Sequence, residues 1–126
     1  MLSVPSFLLR KLYVKGSLRC TSQNVSFRLR NSLGSGYAEE MSPLTLDGTA
    51  MPMEDTYFYV DSGARSFDTV SKDNPFSLLL NQDTVITVEN TSLSPEPHTV
   101  GMGFKVPGLG ILRFDFIDQP ITGDQA

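Results

Sequence analysis

The chain has one cysteine, one histidine and no tryptophan. A single cysteine excludes an intramolecular disulfide framework and a thiolate zinc cluster. A single histidine excludes a multi-histidine metal site built from this chain alone. No apolar run approaches the ~18 residues of a membrane-spanning helix, and the expected location is cytoplasmic. The formal net charge of -4 argues against general affinity for nucleic acid, which needs a basic surface. The 126 residues are enough for one domain, 1–126, whose core needs neither disulfide nor metal.

Acidic residues are missing from the first third. No Asp or Glu precedes Glu39, while Arg10, Lys11, Lys15, Arg19, Arg28 and Arg30 all lie there. An organelle transit peptide shares this composition, but it should be an amphipathic helix. Here Leu12, Val14 and Leu18 alternate with Lys11, Tyr13, Lys15, Ser17 and Arg19, a two-residue period that reads as a strand. A secretory signal is excluded because the run Phe7, Leu8, Leu9 is short and Arg10 and Lys11 interrupt it. The favoured reading is a basic β-hairpin set against an acidic surface, either its own or a partner's.

The pattern along the chain is one of short strands. Val4 to Arg10 predicts a helical turn, with Ser3 as cap and Pro5 early in the first turn. Strands are expected over Lys11–Arg19, Val25–Arg30, Thr56–Val60, Phe76–Leu80 and Thr84–Glu89, with Val85 and Ile86 facing opposite ways. Leu44-Thr45-Leu46 runs into Asp47-Gly48, a tight-turn dipeptide whose residues tolerate positive φ. Ser62–Asn74 is polar and reads as irregular. His98–Lys105 and Ile111–Ile117 form a last hairpin, and the tail beyond it is expected to be flexible. No window carries a useful helical period. Seven to eight short strands separated by turn signals imply an all-β antiparallel sandwich.

Few residues offer chemistry. His98 is the weak catalytic candidate, as a general base or one ligand of a shared metal. Pro97-His98 also starts a strand, where histidine often caps an exposed end, and spacing fixes no acid or hydroxyl partner for it. Glu39-Glu40 and Glu54-Asp55 are adjacent pairs. Neighbours on a strand point to opposite faces, so neither pair can flank a glycosidic bond. Basic neighbours could lower the Cys20 pKa, but an ordinary thiol in a turn is the better reading. Gly101, Gly103, Gly108 and Gly110 lack the strand-loop-helix setting and the Gly-Lys-Ser/Thr ending of a phosphate loop. They read instead as backbone freedom or as room for close approach. The triplets at Asn24 and Asn90 read as chance matches to the glycosylation pattern. Tyr57 and Tyr59 share a face opposite Phe58, which places Phe58 in the core. With Arg65, the two tyrosines are the candidate ligand-binding residues.

From about Val25 to Ile117 the order of features resembles the small β subunit of C-glycoside deglycosidases. The resemblance rests on Phe27-Arg28-Leu29-Arg30, Leu44-Thr45-Leu46-Asp47-Gly48, Glu54-Asp55-Thr56-Tyr57-Phe58 and Leu93-Ser94-Pro95-Glu96-Pro97-His98-Thr99-Val100. Ser35-Gly36-Tyr37 stands where that family has Tyr-Arg-Gly. The resemblance implies a β-sandwich that does no chemistry alone. It would assemble with a larger barrel-type catalytic subunit that carries a divalent metal and cleaves the carbon-carbon bond of an oxidised sugar C-glycoside. No cofactor is implied in this chain. Short chains of this type also carry the label hydroxymethylglutaryl-CoA reductase. On its residues the chain reads as mislabelled, because such an enzyme needs a far longer chain, a nucleotide-binding domain and catalytic acid, lysine and histidine motifs.

The leading expectation is a non-catalytic accessory or assembly subunit in a homo- or hetero-oligomer, with its edge strands and basic hairpin buried in the contacts. The alternatives are a stand-alone carbohydrate or small-ligand binding module, and a lyase or hydrolase that uses His98.

Overall fold

The computed structural model describes residues 4–60 and 63–122. A short helix, α1 (Ser6–Leu9), runs into a 3-10 turn (Arg10–Leu12). The strands follow as β1 (Arg19–Cys20), β2 (Asn24–Arg30), β3 (Gly36–Ala38), β4 (Glu40–Met41), β5 (Thr45–Leu46), β6 (Thr49–Ala50), β7 (Thr56–Val60) and β8 (Gly63–Ser66). They continue as β9 (Phe76–Leu78), β10 (Asp83–Glu89), β11 (His98–Val106), β12 (Gly110–Asp118) and β13 (Ile121–Thr122). One sheet has the order β13-β1-β2-β10-β7-β8, a second β12-β11-β5-β6 with β4 also on β11, and β3 pairs with β9. All pairings among the described residues are antiparallel except β1 with β13. The fold is an all-β sandwich, as its alternating pattern implies.

Alternation sets the faces. On β2, Val25, Phe27 and Leu29 point inward and Arg28 and Arg30 outward; on β10, Ile86 and Val88 are inward and Val85 outward. The second sheet answers with Val100, Met102 and Phe104 on β11 and Leu112, Phe114 and Phe116 on β12. These residues form one buried cluster. Each large side chain so buried contributes roughly 1.5–3 kcal/mol.

Several expected elements differ in the structure. The predicted strand Lys11–Arg19 is broken: Arg10–Leu12 is a 3-10 turn, Tyr13 makes a single bridge to Leu29, Gly16 takes φ +85°, and Arg19–Cys20 is the part that pairs as a strand. The alternation there has another cause. Leu12 and Leu18 are buried, while Tyr13 lies flat on Phe116 with ring centroids 3.6 Å apart and planes 8° from parallel. Gly63–Ser66, expected to be irregular, pairs with β7, since Arg65 opposite Phe58 continues the sheet's inner row. Thirteen strands stand where seven to eight were expected, because breaks such as Ser42-Pro43-Leu44 split single runs. Ile121–Thr122 pair with β1 instead of forming a free tail. The expected cap Ser3, residue Ser62 and residues 123–126 lie outside the described residues.

The glycines of β11 serve close approach. Across the strand pair Gly101 faces β5, and a Cβ on it would collide with Thr45 Oγ1. A Cβ at Gly103 would meet Ser42 Oγ and Arg113 Cγ at 3.2 Å. Gly101→Ala is therefore expected to destabilise the chain by about 1–3 kcal/mol. Thr45→Ala in the same chain, by removing the struck oxygen, should recover most of that loss. Urea unfolding of the two single variants and the double variant measures both effects.

Candidate functional site

The outer face of the six-stranded sheet is built by the odd-even rule from residues far apart in sequence. Pairing aligns Ile121, Arg19, Ser26, Thr87, Tyr57 and Ser66 in one row across six strands. Arg28 and Val85 pair in the next row, on the side where Tyr59 also emerges. Tyr59 is 47% exposed and Ile121 51%. Arg30 is tied to Asp83 by two guanidinium hydrogen bonds, of 2.5 and 3.0 Å. Among the described residues Arg19 and Arg28 make no ion pair. The face thus has a cationic flank and an aromatic flank. Partial burial pushes the Tyr57 phenol above its ordinary value, and the charges of Glu89, Asp55 and Asp68 add to that, so it remains a hydrogen-bond donor.

Of the three residues singled out for ligand binding, Tyr59 and Arg65 line one depression beside Pro75 and Phe76, and Tyr57 does not line it. Tyr57 and Tyr59 share the outer face. Arg65 pairs with Phe58 on the inner face, and its guanidinium lies 5.0 Å above the Phe58 ring. It donates to the carbonyls of Pro75 at 3.2 Å, Thr69 at 3.3 Å and Asn74 at 2.9 Å. Those bonds hold the Phe67–Pro75 segment against the sheet edge.

His98 opens β11 beside the β5–β6 turn. Asp47, at φ +51°, and Gly48 make that turn, and pairing of Leu46 with Val100 brings it to the histidine. His98 Nδ1 lies 2.5 Å from Asp47 Oδ2, and Nε2 lies 3.0 Å from both the hydroxyl and the carbonyl oxygen of Ser94. Asp47 Oδ1 accepts the Thr99 N–H at 2.9 Å. The order Ser94, His98, Asp47 imitates a nucleophile, base and orienting acid. The Ser94 carbonyl changes its meaning. A carbonyl only accepts, so Nε2 donates to it while Nδ1 donates to the carboxylate. The doubly protonated ring so favoured has no lone pair for a proton or a metal. The hydrogen bond to Asp47 is the main cause of the raised His98 pKa, and the same bond, with that from Thr99 N–H, lowers Asp47. Sequence reasoning placed Asp47 only as a turn residue, because the partnership depends on the β5–β11 register.

Two cations of the basic N-terminal stretch, Arg10 and Arg30, are matched by acids of their own chain. Arg10 Nη2 sits 3.2 Å from Asp115 Oδ1. Tyr13 Oη donates to Asp118 Oδ2 at 2.6 Å and accepts the Leu18 N–H at 3.1 Å, and Gly16 N–H reaches the same carboxylate oxygen at 2.9 Å. Burial, then the bond to Asp118, pushes the Tyr13 phenol up to about 12. Burial also raises Asp118, but the bonds from Tyr13, Gly16 N–H and Gln119 N–H and the charge of Lys15 outweigh it, and its pKa is lowered. Cys20 is buried in β1, not in a turn, and its S–H donates to the Leu93 carbonyl at 3.2 Å. Glu39 lies 3.9 Å from the Lys105 ammonium, and Glu54 and Asp55 sit in a 3-10 turn. Among the described residues no group of three His, Cys, Asp or Glu side chains could hold a metal ion, and no helix is long and apolar enough to cross a membrane.

The His98 clamp has a defined pH dependence. Its pKa is raised above 6.5 in the folded state, so its stabilisation is complete below that value and is lost as pH rises through the raised one. Asp47 is lowered below 3.8, so its contribution holds above 3.8 and is lost as pH falls through the lowered value. Wild-type melting temperature is expected to fall as pH rises above 6.5 through the raised His98 pKa. His98→Gln should be less stable at about pH 5–6 and should lose that decline. Parallel melting curves over the pH range check both.

Compared with curated proteins, the chain has no match. The family model for the hydroxymethylglutaryl-CoA reductase N-terminal domain matches residues 8–121. This overturns the resemblance to the deglycosidase β subunit. The segments that carried it are β2, the β5–β6 turn, the start of β7 and the entry to β11, and in-out alternation with Asp-Gly turns recurs in many antiparallel folds. The match also corrects the setting aside of the reductase description as far as family is concerned. That argument weighed the catalytic motifs of a whole enzyme, whereas the family is described as an N-terminal domain. The chain belongs to the hydroxymethylglutaryl-CoA reductase N-terminal domain family.

Proposed function

We propose that this chain is a non-catalytic accessory domain that works by assembly in the cytoplasm, and that the outer face of its six-stranded sheet is the contact surface. The proposed partner is the catalytic part of a hydroxymethylglutaryl-CoA reductase, a reading supported by the match of residues 8–121 to a family described as that enzyme's N-terminal domain. The observation that carries the reading is the row of Arg19, Ser26, Thr87 and Tyr57, with Arg28, Val85, Tyr59 and Ile121 around it. Arg19, Arg28, Val85, Tyr59 and Ile121 are exposed, Ser26 and Tyr57 half-buried, and Thr87 is buried between them. Tyrosine and arginine suit such contacts, since both combine apolar area with directed hydrogen bonds. The complementary surface is acidic opposite Arg19 and Arg28 and apolar opposite the tyrosines. The engaged state of His98 supports the same reading, because its ring closes a loop onto a turn.

The test is light scattering on the purified chain mixed with a reductase catalytic domain from the same source. A complex is expected at low ionic strength that loosens as salt rises. The double variant Arg19→Glu, Arg28→Glu should abolish it without shifting the melting temperature, since both side chains are exposed. Failure to associate at any ionic strength, or a complex indifferent to charge reversal, would contradict the proposal.

A further inference from the structure

A cavity of about 310 Å³ lies away from the outer face, between α1 with its 3-10 turn, β3, β9 and the far end of the β11–β12 hairpin. Its buried walls are Leu9, Leu12, Phe76, Leu78, Phe104 and Leu112. Leu33 and Tyr37, both exposed, stand at its edge. Among the described residues no Asp, Glu, Lys or Arg lines it. Asn31 is the buried polar group beside it, and its amide is fully engaged. Nδ2 donates to the carbonyls of Gly34 at 2.6 Å and Leu78 at 2.9 Å, while Oδ1 accepts Leu33 N–H at 3.0 Å and Gly34 N–H at 3.2 Å. Ser35 Oγ accepts the Leu80 N–H at 2.8 Å, which leaves its own O–H to donate.

We propose that this cavity is a binding site for a neutral, mainly aliphatic small molecule, with a chain of medium length inside and an uncharged oxygen, as in an alcohol or ester, at Ser35. Three observations fix the class. The volume is about twice the ~150 Å³ of an apolar cavity that stays dry and takes up benzene, and it falls within the range of small-molecule sites. The lining is chiefly branched aliphatic, which suits an alkyl chain. The absence of a charged lining residue among the described residues disfavours a carboxylate head, since burying an unpaired charge is strongly unfavourable. Asn31 gives the loop its shape and leaves the ligand apolar walls with the hydroxyls of Ser35 inside and Tyr37 at the edge. The site is independent of the assembly proposal, because none of the outer-face residues lines it.

The experiment titrates the full chain with 1-decanol and separately with decanoate, followed by NMR of its methyl and amide signals. Saturable decanol binding is expected, with shifts at Ala38, Leu78 and Leu112 and with decanoate weaker by about tenfold or more. Leu33→Trp, at an exposed edge position that does not endanger the core, should weaken decanol by a similar factor. Ala38→Phe should fill the space, abolish binding and raise the melting temperature. Absence of saturable decanol binding, binding that Leu33→Trp leaves unchanged, or decanoate binding as tightly as decanol would overturn the proposal.

Discussion

The stack of Tyr13 on Phe116 is the contact on which the arrangement of the two sheets depends. Phe116 belongs to β12 of one sheet and Phe27 to β2 of the other, and their rings meet edge to face at 5.3 Å. Tyr13 lies on the first ring and presents an edge to the second, with centroids 6.1 Å apart. Its hydroxyl reaches Asp118 at the end of β12, and its backbone bridges to Leu29 of β2. One side chain thus joins both layers and the N-terminal segment. Aromatic pairs of this geometry add about 0.5–1.5 kcal/mol beyond the area they bury. With the phenol pushed up to about 12, the donor persists over the ordinary pH range.

This closure accounts for much of the charge asymmetry. Arg10 and Arg30 meet Asp115 and Asp83, acids that arrive from distant parts of the chain. Arg19 and Arg28 remain on the outer face with Tyr57 and Tyr59. The core is closed by its own two layers, so the outer face is free for another surface. The proposal that the chain is an accessory domain rests on that division, and the proposed kind of partner rests on membership in a family described as an N-terminal domain.

Much of the fold was legible because alternation is a direct record of which face a strand buries. β2, β7, β10, β11 and β12 follow it, and Asp47-Gly48 marks its turn through positive φ. The need for small residues at Gly101 was also legible, though the neighbour that imposes it, Thr45, was not. The segment from Lys11 to Arg19 misled because its apolar residues turn inward along a 3-10 turn and a bend at Gly16, touching β2 only at the single bridge of Tyr13 to Leu29. The partnerships of His98 with Asp47 and of Tyr13 with Asp118 span 51 and 105 residues, and no local signal encodes them. Tyr57 and Tyr59 were placed on one face by parity alone. Arg65 was not separable from them until β8 was seen to pair with β7. The family was illegible from short motifs, because strand and turn chemistry is common to many β folds.

The most direct test of the account is hydroxyl-radical footprinting of side chains with and without the reductase catalytic domain. The account predicts slower oxidation of Tyr57, Tyr59, Val85 and Ile121 in the mixture. Tyr37 and Ile117, which are exposed elsewhere on the chain, should react at unchanged rates. Protection centred on Tyr37 or Ile117, with the outer face of the six-stranded sheet still reactive, would contradict it.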